Sequence, residues 1–250
     1  MENDIPHILE ENDDYAVVFK PPKMHAAARN FSFNRKTDKN ESCLSSGENN
    51  TLLDWYSAQS SSVYDIMHRL DYETHGLVLI AKNRTSYEYF KNLQERGGFT
   101  KEYSAVCDHF DINAVSVFPC APSFPSLETT FEIKSWFRPF GPGRKLVRPV
   151  IEDGKKHREV AKDKEGFYIT KIIAKEGNVF TAQIIRGFRH QIRCHLCWIG
   201  FPVKNDPLYP VQKAYPLENT ALSLRAQALF FCDPSGRLRE FRISPLIEHI

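Results

Sequence analysis

Met67-His68-Arg69-Leu70-Asp71-Tyr72-Glu73-Thr74-His75-Gly76-Leu77-Val78-Leu79-Ile80-Ala81-Lys82-Asn83 changes character once, at Gly76. Before it the residues are polar and turn-like. After it Leu77 to Ala81 is an unbroken apolar run, which predicts a strand buried on both faces. Asp71 thus stands in a polar turn that feeds a rigid element, a place where a carboxylate can be held at the edge of a cleft. Downstream, Thr85-Ser86-Tyr87-Glu88 reads as a capping box, and Tyr87, Phe90 and Leu93 recur at helical spacing until Gly97-Gly98 stops them. Upstream, Thr51 to Tyr56 reads as one short helix and Tyr15 to Phe19 as a strand ending at Pro21-Pro22.

Further along, Thr100 to Val106 and Val179 to Ile185 read as strands. His190 to Ile199 reads as a helix with Ile192, Leu196 and Ile199 facing the core, which leaves His190, Arg193 and Cys197 on the other face. Leu222 to Phe231 and Leu238 to Ile243 flank the turn Asp233-Pro234-Ser235-Gly236 and read as a hairpin. Many strands with few helices in irregular order predict an α+β fold on a mixed sheet.

Composition bounds the rest. The 250 residues are 42% hydrophobic and 26% charged, which fits a globular chain and excludes collagen-like or wholly disordered classes. No stretch approaches a membrane span, the acidic N-terminus is unlike a signal peptide, and the expected location is cytoplasmic. The six cysteines are then expected as reduced thiols. Net charge is only +2, yet Lys134 to Arg158 carries a local +6 and interleaves Trp136, Phe137 and Phe140 around Phe140-Gly141-Pro142-Gly143, a mixture suited to phosphates and stacked bases. Residues 1–14 hold six acids and no Lys or Arg, and read as a flexible lead-in. Residues 34–50 read as a mobile surface loop. Cys194-x-x-Cys197 near His190 and His195 lacks the second pair that a structural zinc site needs, so no metal is expected.

The motif His68-Arg69-Leu70-Asp71, followed by Thr74, Gly76-Leu77 and Ala81-Lys82, resembles the catalytic motif of the RluA family of pseudouridine synthases. Four more segments resemble that family in order: YAVVFKPPKMHA (15–26), KEYSAV (101–106), GFRHQIRCHLCWIGFPVKNDPLY (187–209) and LSLRAQALFFCDP (222–234). The resemblance implies a pseudouridine-synthase-type fold, a curved and mainly antiparallel mixed sheet with flanking helices and a central RNA-binding cleft. It makes residues 15–250 a single catalytic domain without an N-terminal S4-type RNA-binding domain.

By the same resemblance Asp71 is the aspartate that acts at C1′ of a flipped-out uridine in ribosomal or transfer RNA, with no cofactor and no metal. Tyr103 stacks on the base and assists proton transfer at C5, and Arg193 pairs with Asp71. Arg69 displaces the target nucleotide, and His68 orders the loop beside it. RNA contacts are expected from these two and from Arg186, Arg189, His190, Gln191, Lys145 and Arg148, with RNA as the partner and a monomer as the simpler state. Three departures stand out: His75 replaces the family's Ser, Phe188-Arg189 its Arg-Thr, and Asn205 its Gly, so that Asn205 has to adopt the backbone angle of a glycine. The competing class is a non-catalytic RNA-binding or RNA-folding factor on the same fold, which an Asp71→Ala substitution separates from an enzyme.

Overall fold

The run after Gly76 is buried at every position in the strand His75–Ala81. Its side chains alternate, Leu77 and Leu79 into one apolar cluster and Val78 and Ile80 into another. The sheet is therefore covered on both faces, which is why no polar residue interrupts the run. In this computed structural model residues 5–28, 51–109, 118–121, 130–151, 166–209 and 221–246 are described.

In chain order these residues form β1 (His7–Glu11), β2 (Tyr15–Lys20), α1 (Leu52–Ser57), β3 (Asp65–Ile66), β4 (His75–Ala81), α2 (Arg84–Glu95) and β5 (Phe99–Val106). There follow β6 (Phe131–Phe140), β7 (Leu146–Val150), β8 (Tyr168–Glu176), β9 (Val179–Ile184), α3 (Gln191–Trp198), β10 (Leu224–Cys232) and β11 (Leu238–Arg242). The strands make one mixed, mostly antiparallel sheet in the order β1-β2-β4-β10-β5-β9-β8-β6-β7, with β11 beside β10 and β3 beside β4. The architecture is α+β, as the order of elements predicts. No helix among the described residues is long and apolar enough to cross a membrane.

The one parallel junction among the paired strands is β4 with β10, through His75 opposite Arg225 and Gly76 opposite Ala226. Gly76 sits at φ +123, and a Cβ there would meet the Ala226 carbonyl oxygen at 2.2 Å. Glycine is required at this point because the two backbones touch. Strand β10 thereby lies between β4, which follows Asp71, and β5, which carries Tyr103. Helices α1 and α3 pack into the larger cluster with Leu52, Tyr56, Ile192 and Leu196, while α2 inserts Phe90 into the smaller cluster on the opposite face.

Several expectations are corrected. The lead-in is not flexible over 7–11: β1 pairs antiparallel with β2, and its acids are engaged by Arg239 on Glu10 and by Lys82 on Glu11 at 2.7 Å. The capping box of α2 begins two residues early, at Asn83, whose side chain accepts from Ser86 N at 2.8 Å. Helix α3 has no polar face, since all eight residues from Gln191 to Trp198 are buried, packed on β7 and β8 and closed over by Phe201, Val203 and Tyr209. In the basic segment Phe137 is a core residue stacked on Phe188 at 5.1 Å, and Trp136 packs on Phe167 at 4.3 Å, so these rings are filled by the protein itself. Residues 34–50 and 152–158 lie outside the described residues.

Candidate active site

Asp71 is delivered by a loop fixed at both ends. Met67 N donates to Leu79 O at 2.8 Å, and Thr74 N closes a turn onto Asp71 O at 3.1 Å. Between them His68 Nε2 accepts from Leu79 N at 3.3 Å with its ring against Phe99, and Leu70 is buried in the larger cluster. Burial, with a smaller contribution from Lys101, lowers the His68 pKa to about 3, so the ring is a neutral acceptor that orders the loop. From β2, the buried Lys20 Nζ donates to the carbonyls of Pro21 (2.9 Å), Met24 (2.7 Å) and Tyr72 (3.3 Å), tying the loop from behind. Burial pulls that ammonium down to about 7, with Asp71 and Glu73 acting against the shift.

The Asp71 carboxylate, 24% exposed, meets the fully interior Arg193 with Nη1 to Oδ2 at 3.2 Å. The other two guanidinium nitrogens are spent on Asp206, Nε to Oδ2 at 2.7 Å and Nη2 to Oδ1 at 2.6 Å. Asp206 has no exposed side-chain surface, and it also accepts from the backbone N–H groups of Leu208 (2.8 Å) and Tyr209 (3.2 Å). Burial disfavours the Arg193 charge, but Asp206 and then Asp71 outweigh it, and the pKa rises above the ordinary arginine value. The Tyr209 ring lies 5.7 Å from the guanidinium, and its hydroxyl is pinned by Val147 through both backbone groups at 2.9 Å. In the sequence Asp206 and Tyr209 stand only at the end of the family-like segment 187–209, spaced as Asp-x-x-Tyr. Their part in holding Arg193 was missed, and that pattern was the available signal.

Asp71 opens onto a cleft of about 1040 Å³. Tyr103, Lys101, His68, Arg69, Lys145, Arg189, His190, Gln191 and Arg193 line it as well. Tyr103 is 6% exposed, and burial followed by the Asp71 charge raises its phenol well above the ordinary value, so it enters as a neutral ring and hydroxyl. Lys101 donates to Ile185 O at 2.8 Å, and burial lowers it to about 8. His190 starts α3 at φ +56, and burial lowers its pKa to about 4 despite nearby Asp71. Arg189 clamps the turn that carries Lys145, donating to Arg144 O at 2.7 Å and Leu146 O at 3.3 Å.

Three expected RNA contacts are placed otherwise. Arg186 turns to Phe167 O at 3.1 Å and over the Tyr168 ring at 5.0 Å, off the cleft wall. Arg148 lies on β7 opposite Arg138 and does not line the cleft. Gln191 reaches the wall, but its amide is used inside the protein, accepting from Phe188 N at 2.9 Å and donating to Ile169 O at 2.9 Å. The departures from the motif are accommodated: Phe188 joins the ring stack with Phe137 and Tyr168, and Asn205 takes φ +62 with its amide on Ala221 O at 3.2 Å. Cys194 is buried with its thiol on Val147 O at 3.4 Å, and no cluster of three His, Cys, Asp or Glu able to hold a metal occurs among the described residues.

A family model described as RNA pseudouridylate synthase matches residues 14–198, which include Asp71, Tyr103 and Arg193. An uncharacterized RNA pseudouridine synthase of Mycoplasma genitalium is 27% identical over 91% of this chain and 62% of its own length. A Bacillus subtilis protein described in the same words is 28% identical over 73% of this chain and 52% of its own. The chain thus spans about half to two thirds of the length of these relatives. Among solved structures, human RNA pseudouridylate synthase domain containing 1 superposes with a TM-score of 0.65 at 17% identity, covering 96% of this chain and 84% of that one. With the family model running through most of the sheet and through the loop that presents Asp71, the chain belongs to the RNA pseudouridylate synthase family.

Proposed function

We propose that the protein isomerises a specific uridine to pseudouridine in structured RNA, ribosomal or transfer, with Asp71 as the catalytic carboxylate. The observation that carries this reading is the Asp71 carboxylate at the end of a buried Arg193–Asp206 pair, opening into a cleft that Tyr103 shares. Breaking the N1–C1′ bond of uridine builds positive charge at C1′, and a fixed carboxylate stabilises or traps it. The detached uracil turns and rejoins through C5; the C5 proton is lost and N1, now free of the sugar, takes one up, so the product is an isomer of the substrate. Tyr103 stacks on the base and assists that transfer as a protonated hydrogen-bond partner, in keeping with its raised pKa. Arg193 compensates the Asp71 charge and fixes its orientation.

A uridine inside a stem has to leave its stack before C1′ is reachable. Arg69, exposed on the cleft wall two residues before Asp71, displaces it, while Lys145 and Arg189 at the mouth contact phosphates. The continuous sheet that runs from β2 to β7 supports reading residues 15–250 as one catalytic domain; a monomer acting in the cytoplasm is part of the same proposal. The chemistry assigned to these residues needs no cofactor.

The test is carbodiimide mapping of pseudouridine in total RNA from cells lacking the gene, after incubation with wild-type protein or Asp71→Ala. A site that appears with wild type alone supports the reading and names the RNA. No new site in either sample, with folded protein and both RNA classes present, overturns it in favour of a non-catalytic RNA-binding factor.

A further inference from the structure

We infer that Tyr72 and His25 form a stacking platform for the nucleobase next to the target uridine, an assignment that rests on the RNA substrate proposed above. Among the described residues Tyr72 is the one Phe, Tyr or Trp that is exposed, at 43%. It follows Asp71 directly and lines the same cleft. Every other Phe, Tyr and Trp described is at least partly packed away, so an exposed ring at this place departs from how the chain treats its large aromatic residues.

The ring is presented rigidly. The Tyr72 carbonyl is held by the buried Lys20 ammonium at 3.3 Å, and the Asp71–Thr74 turn fixes the backbone on either side. The imidazole of His25 lies against the Tyr72 ring with centroids 4.7 Å apart and a tilt of 44°. His25 is itself anchored, since its carbonyl accepts from Leu52 N at 2.8 Å at the start of α1 and its backbone bridges Thr51. Two exposed rings on pinned backbones supply contact area with little conformational entropy left to lose on binding.

Its position selects the occupant. Consecutive Cα atoms lie about 3.8 Å apart, so with a uridine over Asp71, the base that reaches Tyr72 belongs to an adjacent nucleotide. That nucleotide is the one whose stacking is lost when the uridine turns out, and an aromatic face replaces the lost contact. Such a surface accepts any base, because every base has a π-face, and it favours the larger purine faces.

The probe is an RNA hairpin with a uridine loop carrying one 2-aminopurine beside a uridine, whose fluorescence is quenched on stacking. Binding of total ribosomal and transfer RNA to the wild-type protein is measured alongside it. The expected result is quenching by wild type and by Tyr72→Phe, with Tyr72→Ala losing the quench and weakening hairpin affinity by about 5- to 30-fold. His25→Ala should give a smaller loss in the same direction. Because both side chains are exposed, the folded state of each variant should be unchanged by circular dichroism. Equal quenching and affinity for wild type and Tyr72→Ala, or no quenching by a wild type that binds total RNA, overturns the platform alone. A wild type that binds neither total RNA nor the hairpin overturns the RNA reading, and the platform with it.

Discussion

Arg193 has no donor nitrogen outside the two carboxylates, and this division makes Asp206 a positioning residue for Asp71. Asp206→Asn keeps the size of the side chain but replaces one acceptor by a donor that opposes the guanidinium. Breaking one partner of a buried pair costs about 3–5 kcal/mol, so the apparent melting temperature should fall by several degrees. Single-turnover pseudouridylation should slow by at least about tenfold, while RNA affinity should stay within about twofold. An equal loss of rate and affinity would instead point to collapse of the cleft wall. The site was legible in part: Asp71, Tyr103 and Arg193 each stand in a recognisable segment, and the structure brings all three to one cleft. Asp206 was not legible as a partner: the glycine-like angle at Asn205 was expected, but that the turn brings a fully buried carboxylate onto Arg193 is set by tertiary packing, which spacing along the chain does not encode. The internal partners of Arg186 and Gln191 were not legible either. A basic or amide side chain near a catalytic segment looks available until its internal partner is seen.

The junction of β4 with β10 allows no side chain at Gly76. Gly76→Ala should cost about 3 kcal/mol or more, since positive φ and a backbone collision act together, and soluble yield or the urea midpoint reads the loss. Gly177→Ala is the control: at φ +56 with open space around it, the same substitution should cost only about 1 kcal/mol. Similar losses in the two variants would remove the close approach as the cause. Six strands, β2, β4, β5, β9, β10 and β11, were legible from apolar runs and turn residues close to their bounds, while β1, β3, β6, β7 and β8 were not read as strands. Beyond the β10–β11 hairpin the pairing order was not legible, because period-2 patterning gives a strand its faces and not its neighbours. Helix α3 departs from its pattern for a related reason: all eight of its residues are buried, so the face that carries Arg193 and Cys197 is packed like the one that carries Ile192 and Leu196, and Arg193 still reaches Asp71 as its segment predicts.

Acid should unfold the molecule well before its carboxylates are all protonated. Burial holds His68 and His75 near about 3 and His190 near about 4, against an ordinary 6.5. Below pH 6.5 the unfolded chain takes up protons that the folded chain refuses, so stability is full above that pH and is lost as pH falls toward 4. The melting temperature should drop across this window by about 2–4 °C for each kcal/mol lost, and a flat profile from pH 7 to 4 would contradict buried neutral histidines. RNA affinity should fall with salt despite a net charge of only +2, with Lys145 and Arg189 at the mouth of the cleft contributing a log–log slope of about −1.4 to −1.8. Reversing both to Glu should flatten the slope of log affinity against log salt, measured by filter binding. Finally, the strand order has a consequence for synthesis. A ribosome that has already delivered the Asp71 loop with β4, and Tyr103 with β5, has yet to make β10, the strand that belongs between them. The nascent chain therefore carries two unjoined halves of a cleft with their strand edges open, exposed to mispairing until residues 224–232 emerge. The two walls of the cleft can then be joined only after β10 has been made, whichever of them folds first.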